Sequence, residues 1–428
     1  MIDPSPARKH IWYIIIGGAI GNVVEWYNFS LYGYLAFVIA KLFFPFHNKL
    51  LSITLTFTAF ALSFFARPFG GVFFGWFGDT YGRQHALVFS LVMMTIPTFL
   101  IGCLPTYYTI GIASPIWLSI FRILQGFSAG GEHTGSGIYL AEYASPHRRS
   151  LLVSIVPTSA ALGILASSVT ALVILHSFSY EQLLSWGWRT GYWGGALLCI
   201  VSIILRLFLP ETPAFQKMQK ERINHHFPFL VLLRNPNAVK SLLSVFCLAS
   251  SWGVFYQILF MWMPTYLAYG NRLSNNVALQ INTFSVVVFI CAILVVGYCA
   301  DYISRRFLLM LSCVAMLIAA YPLFILLSSG SLWQVYAAMG IFTLIFSLFI
   351  PSAFVCMIES FNTAIRYSGL SIGFNIGLAI FGGSCPLMAT WLLETTGSST
   401  APAWYVMLFA VFALITSIFI SDKRGQPI

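Results

Sequence analysis

Two strongly apolar stretches carry ionisable side chains at helical spacing. In GNVVEWYNFSLYGY (21–34), Gly21, Glu25, Asn28 and Tyr32 recur at intervals of four, three and four, which sets them on one face of a helix. In RILQGFSAGGEHTGSGIYLAEY (122–143), Arg122, Gln125, Ala129, His133 and Ser136 form a second stripe with Glu132 at its edge. A charge held inside hydrocarbon needs a partner and by default marks a path for protons or substrate. At 1.5 Å per residue, Glu25 lies about 21 Å beyond Ile11, and Arg122 about 20 Å above the same membrane face. The two are therefore expected at similar depth, where a Glu25–Arg122 pair or an Arg122–Asn28 contact is feasible. Glu25, Glu132 and His133 are side chains able to exchange a proton, and Asn28 is not. A bracing role in helix packing stays open for Glu132 and His133.

The elements that must position these groups are membrane helices. Of 428 residues, 59% are hydrophobic and 8% charged. A water-soluble surface needs roughly 25% charge. Twelve apolar runs are long enough to span: about 11–40, 51–77, 86–106, 114–141, 150–176, 190–209, 240–268, 278–300, 307–328, 332–358, 367–393 and 402–421. The first is too long for a cleavable leader and carries Glu25. The net charge of +10 sorts by side rather than pointing to nucleic acid. One face holds only Lys41, Lys49, Arg189 and Arg272, and Arg67 and Arg122 lie inside spans. The remaining Lys and Arg gather on the other face, which predicts both termini in the cytoplasm. Eight cysteines lie within or at the ends of spans with no C-x-x-C spacing, as expected for free thiols. The His225–His226 pair has no third ligand type beside it and reads as loop, so no metal or other cofactor is expected.

The longest polar interruption divides the spans six and six. This predicts an N-terminal bundle (1–210), a cytoplasmic connector (211–239) and a C-terminal bundle (240–428). An internal repeat supports the division: GWFGDTYGRQ (75–84) is matched in register by GYCADYISRR (297–306), and AEYASPHRR (141–149) by IESFNTAIR (358–366). Two pseudo-symmetric six-helix halves produce such a pattern. Gly75, Gly78 and Gly82 permit close approach and a tight turn. Asp79 is suited to accept from the free N–H groups of a helix start, and Arg83 to pair with a carboxylate such as Glu142. Asp301, Arg305 and Arg149 complete this expected cytoplasmic latch. GFSAG (126–130) has the hydrolase G-x-S-x-G spacing but lies inside a span, so Gly126 and Gly130 read as a packing face.

With these motifs in view, the chain resembles the major facilitator superfamily, whose signature loop GWFGDTYGRQ resembles. More narrowly, GNVVEWYNFSLYGY, RPFGGVFFGWFGDTYGRQ, WGWR, LPETPAF and AIRYSGLSIGFN resemble the metabolite:proton symporters, and TYYTIGIASPIWL and ETPAFQK their proline/betaine branch. The resemblance implies the major facilitator fold, with the first and fourth helices bordering a central cavity. It departs at EWYNF, where the family motif has an acid in place of Asn28. It departs also at SDKRGQPI, where osmosensing members carry a long coiled-coil tail. The span SIVPTSAALGILASS lacks the Gly-Pro signature of drug antiporters.

The resemblance and the residues together predict an inner-membrane importer, monomeric in the lipid bilayer, that takes up a small zwitterionic or anionic metabolite with protons by alternating access. Proline or betaine is the first choice. Arg122 is suited to a substrate carboxylate. Trp26, Tyr27 and Tyr256, with Trp252 and Trp262, are suited to a quaternary ammonium. An organic acid such as citrate is the alternative, using Arg122 with Gln257 and Asn375, and a siderophore is a further one. The amide at position 28 leaves open a facilitator, a proton site moved to Glu25 or Glu132, or an introduced Asp→Asn substitution. A membrane-embedded enzyme is the competing class.

Overall fold

The computed structural model describes residues 4–221, 228–270, 273–329 and 331–426, so Arg222, the His225–His226 pair and Arg272 lie outside it. Twelve long helices dominate the described residues: α1 Pro4–Tyr34, α2 Lys49–Thr80, α3 Arg83–Cys103, α4 Ala113–Tyr143, α5 Arg149–Ser177, α6 Tyr180–Leu207, α7 Pro236–Ala268, α8 Asn275–Tyr302, α9 Arg305–Ser328, α10 Leu332–Glu359, α11 Arg366–Thr396 and α12 Ala401–Phe419. Ten of them are long and apolar enough to cross a membrane. The other two are α1 and α4, the helices that carry the polar stripes. Seven of the helices contain an interior proline (Pro68, Pro97, Pro157, Pro264, Pro322, Pro351 and Pro386), which neighbouring helices tolerate inside a membrane.

The chain forms two compact units. The first combines Met1–Leu140 with Ser159–Pro228, and the second Ala141–Thr158 with Phe229–Ile428. In the first, glycine brings α2 and α4 almost into backbone contact. A Cβ on Gly126 would stand 1.9 Å from the Ser63 carbonyl oxygen, one on Gly130 2.3 Å from that of Arg67, and one on Gly70 1.8 Å from that of Phe127. The small-residue reading of Gly126 and Gly130 is therefore correct, and it fixes which face of α4 meets α2. α6 packs on both α3 and α1. The turn between α2 and α3 uses Gly82 at φ 113°, and a Cβ there would meet the Glu211 carboxylate at 2.2 Å. Tyr32, Leu35, Phe43, Leu104, Trp188 and Tyr192 belong to one buried cluster that fills the other end of this unit.

In the second unit, α9 packs on α10 and α12, and α7 on α11. α7 unwinds into a π turn at Gln257–Trp262 and α11 at Leu378–Gly382. A Cβ on Gly253 would come within 2.9 Å of the Gly382 backbone, so the two helices touch beside their irregular turns.

Candidate functional site

The polar residues of the first unit resolve into three groups at successive levels. Nearest the α2–α3 turn, Arg206 of α6 grips Glu132 of α4 with two bonds, of 2.6 and 2.7 Å. It also donates to the carbonyls of Gly17, Gly18 and Leu87 at 2.8, 3.1 and 3.0 Å. The Glu132 carboxylate accepts further from Ser90 at 2.8 Å and Ser136 at 3.1 Å. Gly21 is where α1 clears this pair: a Cβ there would lie 2.1 Å from Glu132. One buried cross-link thus ties α1, α3, α4 and α6.

At the next level, Glu25 pairs with Arg67 of α2 at 3.0 Å, both fully buried. This replaces the expected Glu25–Arg122 pair. Arg67 also donates to the Ala129 carbonyl on α4 at 3.4 Å. Arg122 is seven residues further along that helix, about 10 Å away, so the depths counted from span ends were not matched. His133 Nδ1 meets Asn22 Oδ1 at 2.9 Å, a partner on α1 that the sequence stripe did not include.

Arg122 occupies the third level. Its Nη1 donates to Gln125 Oε1 at 2.8 Å, and Gln125 in turn donates to Thr98 at 2.8 Å. Its Nη2 reaches Ser63 at 3.4 Å. The guanidinium carbon lies 4.4 Å from the Tyr32 ring centre, 4.9 Å from Phe29 and 5.2 Å from Phe60. Among the described residues no carboxylate pairs with it. The expected Arg122–Asn28 contact is absent as well: the Asn28 amide nitrogen instead points to Cys199 Sγ at 3.7 Å, and its oxygen has no hydrogen-bond partner. Trp26 tilts against Phe29 at 6.5 Å, and the Tyr27 hydroxyl is spent on the Gly191 carbonyl at 3.0 Å, which draws it into packing with α6.

In the second unit, Tyr256 packs edge-on against Phe260 at 5.1 Å, directly before the π turn that Gln257 opens. Asn375 is buried and donates to the Ser371 carbonyl of its own helix at 2.8 Å. Trp252 sits edge-on to Phe354 and Phe374, and Trp262 donates to Thr390 at 3.0 Å.

The residues of the expected latch are all placed among the described residues. Arg83 closes on Asp79 at 3.3 Å and on the Gly78 carbonyl at 2.7 Å, under the Phe215 ring; Gly75 is buried one turn before. The Glu142 carboxylate, which the sequence offered to Arg83, receives Arg366 at 2.6 Å. Arg149 pairs with Glu359, which also receives Arg305 at 2.7 Å. Glu142 and Arg149 stand in one repeat where Glu359 and Arg366 stand in the other, so the two copies trade partners. A helix start is capped at Asp301, which accepts from the Ser150 and Leu151 amides at 2.7 and 3.1 Å; Arg305 adds a bond to Ser150 Oγ at 2.8 Å. Residues 422–426 lie over this network. Asp422 accepts from the Arg305 amide at 3.0 Å, Lys423 donates to the Glu359 carbonyl at 2.8 Å, and Arg149 to the Gln426 carbonyl at 3.0 Å.

Sequence reasoning assigned no role to Arg67, Arg206, Asn22, Glu359 or Arg366. Arg67 was visible as a charge inside a span, and Glu359 and Arg366 as the repeat counterparts of Glu142 and Arg149. Arg206 sits near a span end, where it is indistinguishable from the basic residues of the cytoplasmic face.

Over residues 18–382 the chain matches the Major Facilitator Superfamily. It is similar to the proline/betaine transporter of Salmonella typhimurium, 33% identical over 435 residues that cover 100% of this chain and 86% of that protein. A second relative is the glycine betaine/proline/ectoine/pipecolic acid transporter OusA of Dickeya dadantii, 31% identical, with the same shares of 100% and 86%. Among solved structures, the proton:xylose symporter XylE bound to 6-bromo-6-deoxy-D-glucose aligns with a TM-score of 0.81 over 98% of each chain at 16% identity, a likeness of fold. The expected all-α fold of twelve membrane helices is therefore correct. The protein is a multi-pass membrane transporter, not an enzyme, and it belongs to the Major Facilitator Superfamily.

Proposed function

We propose that this transporter imports a small zwitterion or anion bearing a carboxylate, proline- or betaine-like, together with protons by alternating access. The observation that carries the substrate class is Arg122, a buried guanidinium lined by Phe29, Tyr32 and Phe60 with no carboxylate on it among the described residues. A cation that costly to bury gains most from an anion brought by the substrate. The names of the relatives, proline/betaine transporters, support the same class. The protein works as a monomer in the cytoplasmic membrane with both termini inside, in line with the distribution of Lys and Arg. Its halves are an N-terminal bundle of residues 1–210 and a C-terminal bundle of residues 240–428, joined by residues 211–239. The roles proposed for the latch residues are to hold one cytoplasmic arrangement closed until substrate and proton are bound.

The test is uptake of labelled proline, betaine and citrate into proteoliposomes, with and without an inward proton gradient. Accumulation of proline or betaine above the gradient-free level is expected. Citrate uptake alone would replace the substrate class, and uptake indifferent to the gradient would make the protein a facilitator.

A further inference from the structure

The first unit contains two buried glutamates in opposite situations. Glu132 accepts two bonds from Arg206 and one each from Ser90 and Ser136, so its ionised form is fully matched by fixed donors. A proton added there has to compete with all of them. Glu25 is equally buried, and its charge faces Arg67 at 3.0 Å, yet neither of its oxygens receives a hydrogen bond of good geometry. Its ionised form depends on one neighbouring cation and little else.

The charged groups around Glu25 are few. α2 presents Arg67, α4 presents Glu132 and His133, and α6 presents Arg206, which Glu132 already neutralises. α5, whose Gly163 touches the α1 backbone at Val23, carries its own titratable side chains, Arg149 and His176, only at its two ends. α1 itself adds the neutral amides Asn22 and Asn28. When Glu25 takes up a proton it becomes a neutral acid, and Arg67 remains held by the Ala129 carbonyl and by the Phe29 and Phe64 rings at 5.7 and 5.8 Å. The cation thus has somewhere to rest in both states.

We infer that Arg67 is a positioning residue for proton coupling: it is the counter-ion that holds Glu25 as the carboxylate that gains and loses the transported proton, while Arg122 is reserved for the substrate. Arg67 and Arg122 divide the work. Glu132–Arg206 is a permanent brace outside the proton path. This inference rests on the proton-coupled reading above and deepens it.

The experiment measures, in proteoliposomes, the ratio of uptake with an inward proton gradient to uptake without one, using whichever of labelled proline, betaine or citrate the wild type accumulates. The wild-type ratio exceeds one. In Glu25→Gln and Arg67→Gln the ratio falls to one, and Arg67→Lys, which keeps a cation, brings it back above one. Arg122→Gln raises the KM while the ratio stays above one. Where Arg67→Gln does not fold, the double variant Glu25→Gln with Arg67→Gln, which buries no lone charge, supplies the reading and is expected at a ratio of one. A ratio above one in Glu25→Gln or in the double variant overturns the assignment, and so does a ratio of one in Arg67→Lys. A wild-type ratio of one overturns instead the proton-coupled reading, so the two failures are distinguishable.

Discussion

Arg122 and Asn28 show how a residue's worth depends on what surrounds it. Arg122 lies in an aromatic box, with neutral Gln125 and Ser63 as its hydrogen-bond partners. If it binds a substrate carboxylate through a charge-assisted bond, Arg122→Gln raises the KM roughly ten- to hundredfold, read from uptake kinetics at saturating gradient. Asn28 lies against Cys199 and Gly195. Among the described residues no cation hydrogen-bonds to Asn28, and a buried charge that gains no partner costs about 3–5 kcal/mol. Asn28→Asp is therefore expected to lower the Tm in detergent and to leave the gradient dependence of uptake unchanged. An increase in that dependence would return position 28 to the coupling machinery.

At the scale of elements, the α2–α4 contact and the exchanged ion pairs carry the firmest expectations. Gly126→Ala would force a methyl group to within 1.9 Å of a backbone oxygen, so the helices must part. Overpacking of this kind costs about 1–3 kcal/mol and often more when backbone is the obstacle. Size-exclusion chromatography should show loss of the monodisperse peak, whereas Gly33→Ala, with nothing near its Cβ, behaves as wild type. Arg366→Ala removes the 2.6 Å pair with the buried Glu142 and is expected to cost about 3–5 kcal/mol, whereas Glu142→Gln combined with Arg366→Gln costs less than the sum of its parts. At the α2–α3 turn, Glu211 accepts from the Gln84 and Thr212 amides at 3.1 and 2.8 Å, yet burial pushes its carboxyl above the ordinary value. It therefore favours the folded state most at pH below that ordinary value, and the contribution is lost as pH rises through the raised one. Glu211→Gln should flatten the dependence of Tm on pH across that window.

At the scale of the whole molecule, the testable property is sidedness. Lys217 is exposed beyond α6, and Tyr108 is exposed between α3 and α4. In a background lacking the exposed Cys103 and Cys291, a cysteine at 108 should react with an impermeant maleimide on intact cells. A cysteine at 217 should react only after the membrane is opened. The reverse labelling would invert the proposed topology. The same experiment bears on the latch, because the side that holds Lys217 in this topology also holds the Asp79–Arg83 turn.

Apolar run length and the 3.6-residue period are local properties, and from them the chain alone determined its helices, its repeat and the two polar stripes. Glu25, Arg122, Glu132 and the latch motif were legible for the same reason: a charge in an apolar run stands out against its neighbours. Partner choice was not local. It depends on how far each helix slides and turns against the next, which here is set by glycine contacts such as Gly126 on Ser63. Those contacts carry Arg67 to the level of Glu25 and leave Arg122 about 10 Å further along its helix. In the same way, the packing of α6 on α1 and α3 brings Arg206 onto Glu132. The sequence marked Glu25, Arg67, Arg122 and Glu132 as ionisable groups inside spans, and only the tertiary structure added Arg206 to them and decided which of them meet, because a buried ion pair exists or not within a few ångströms.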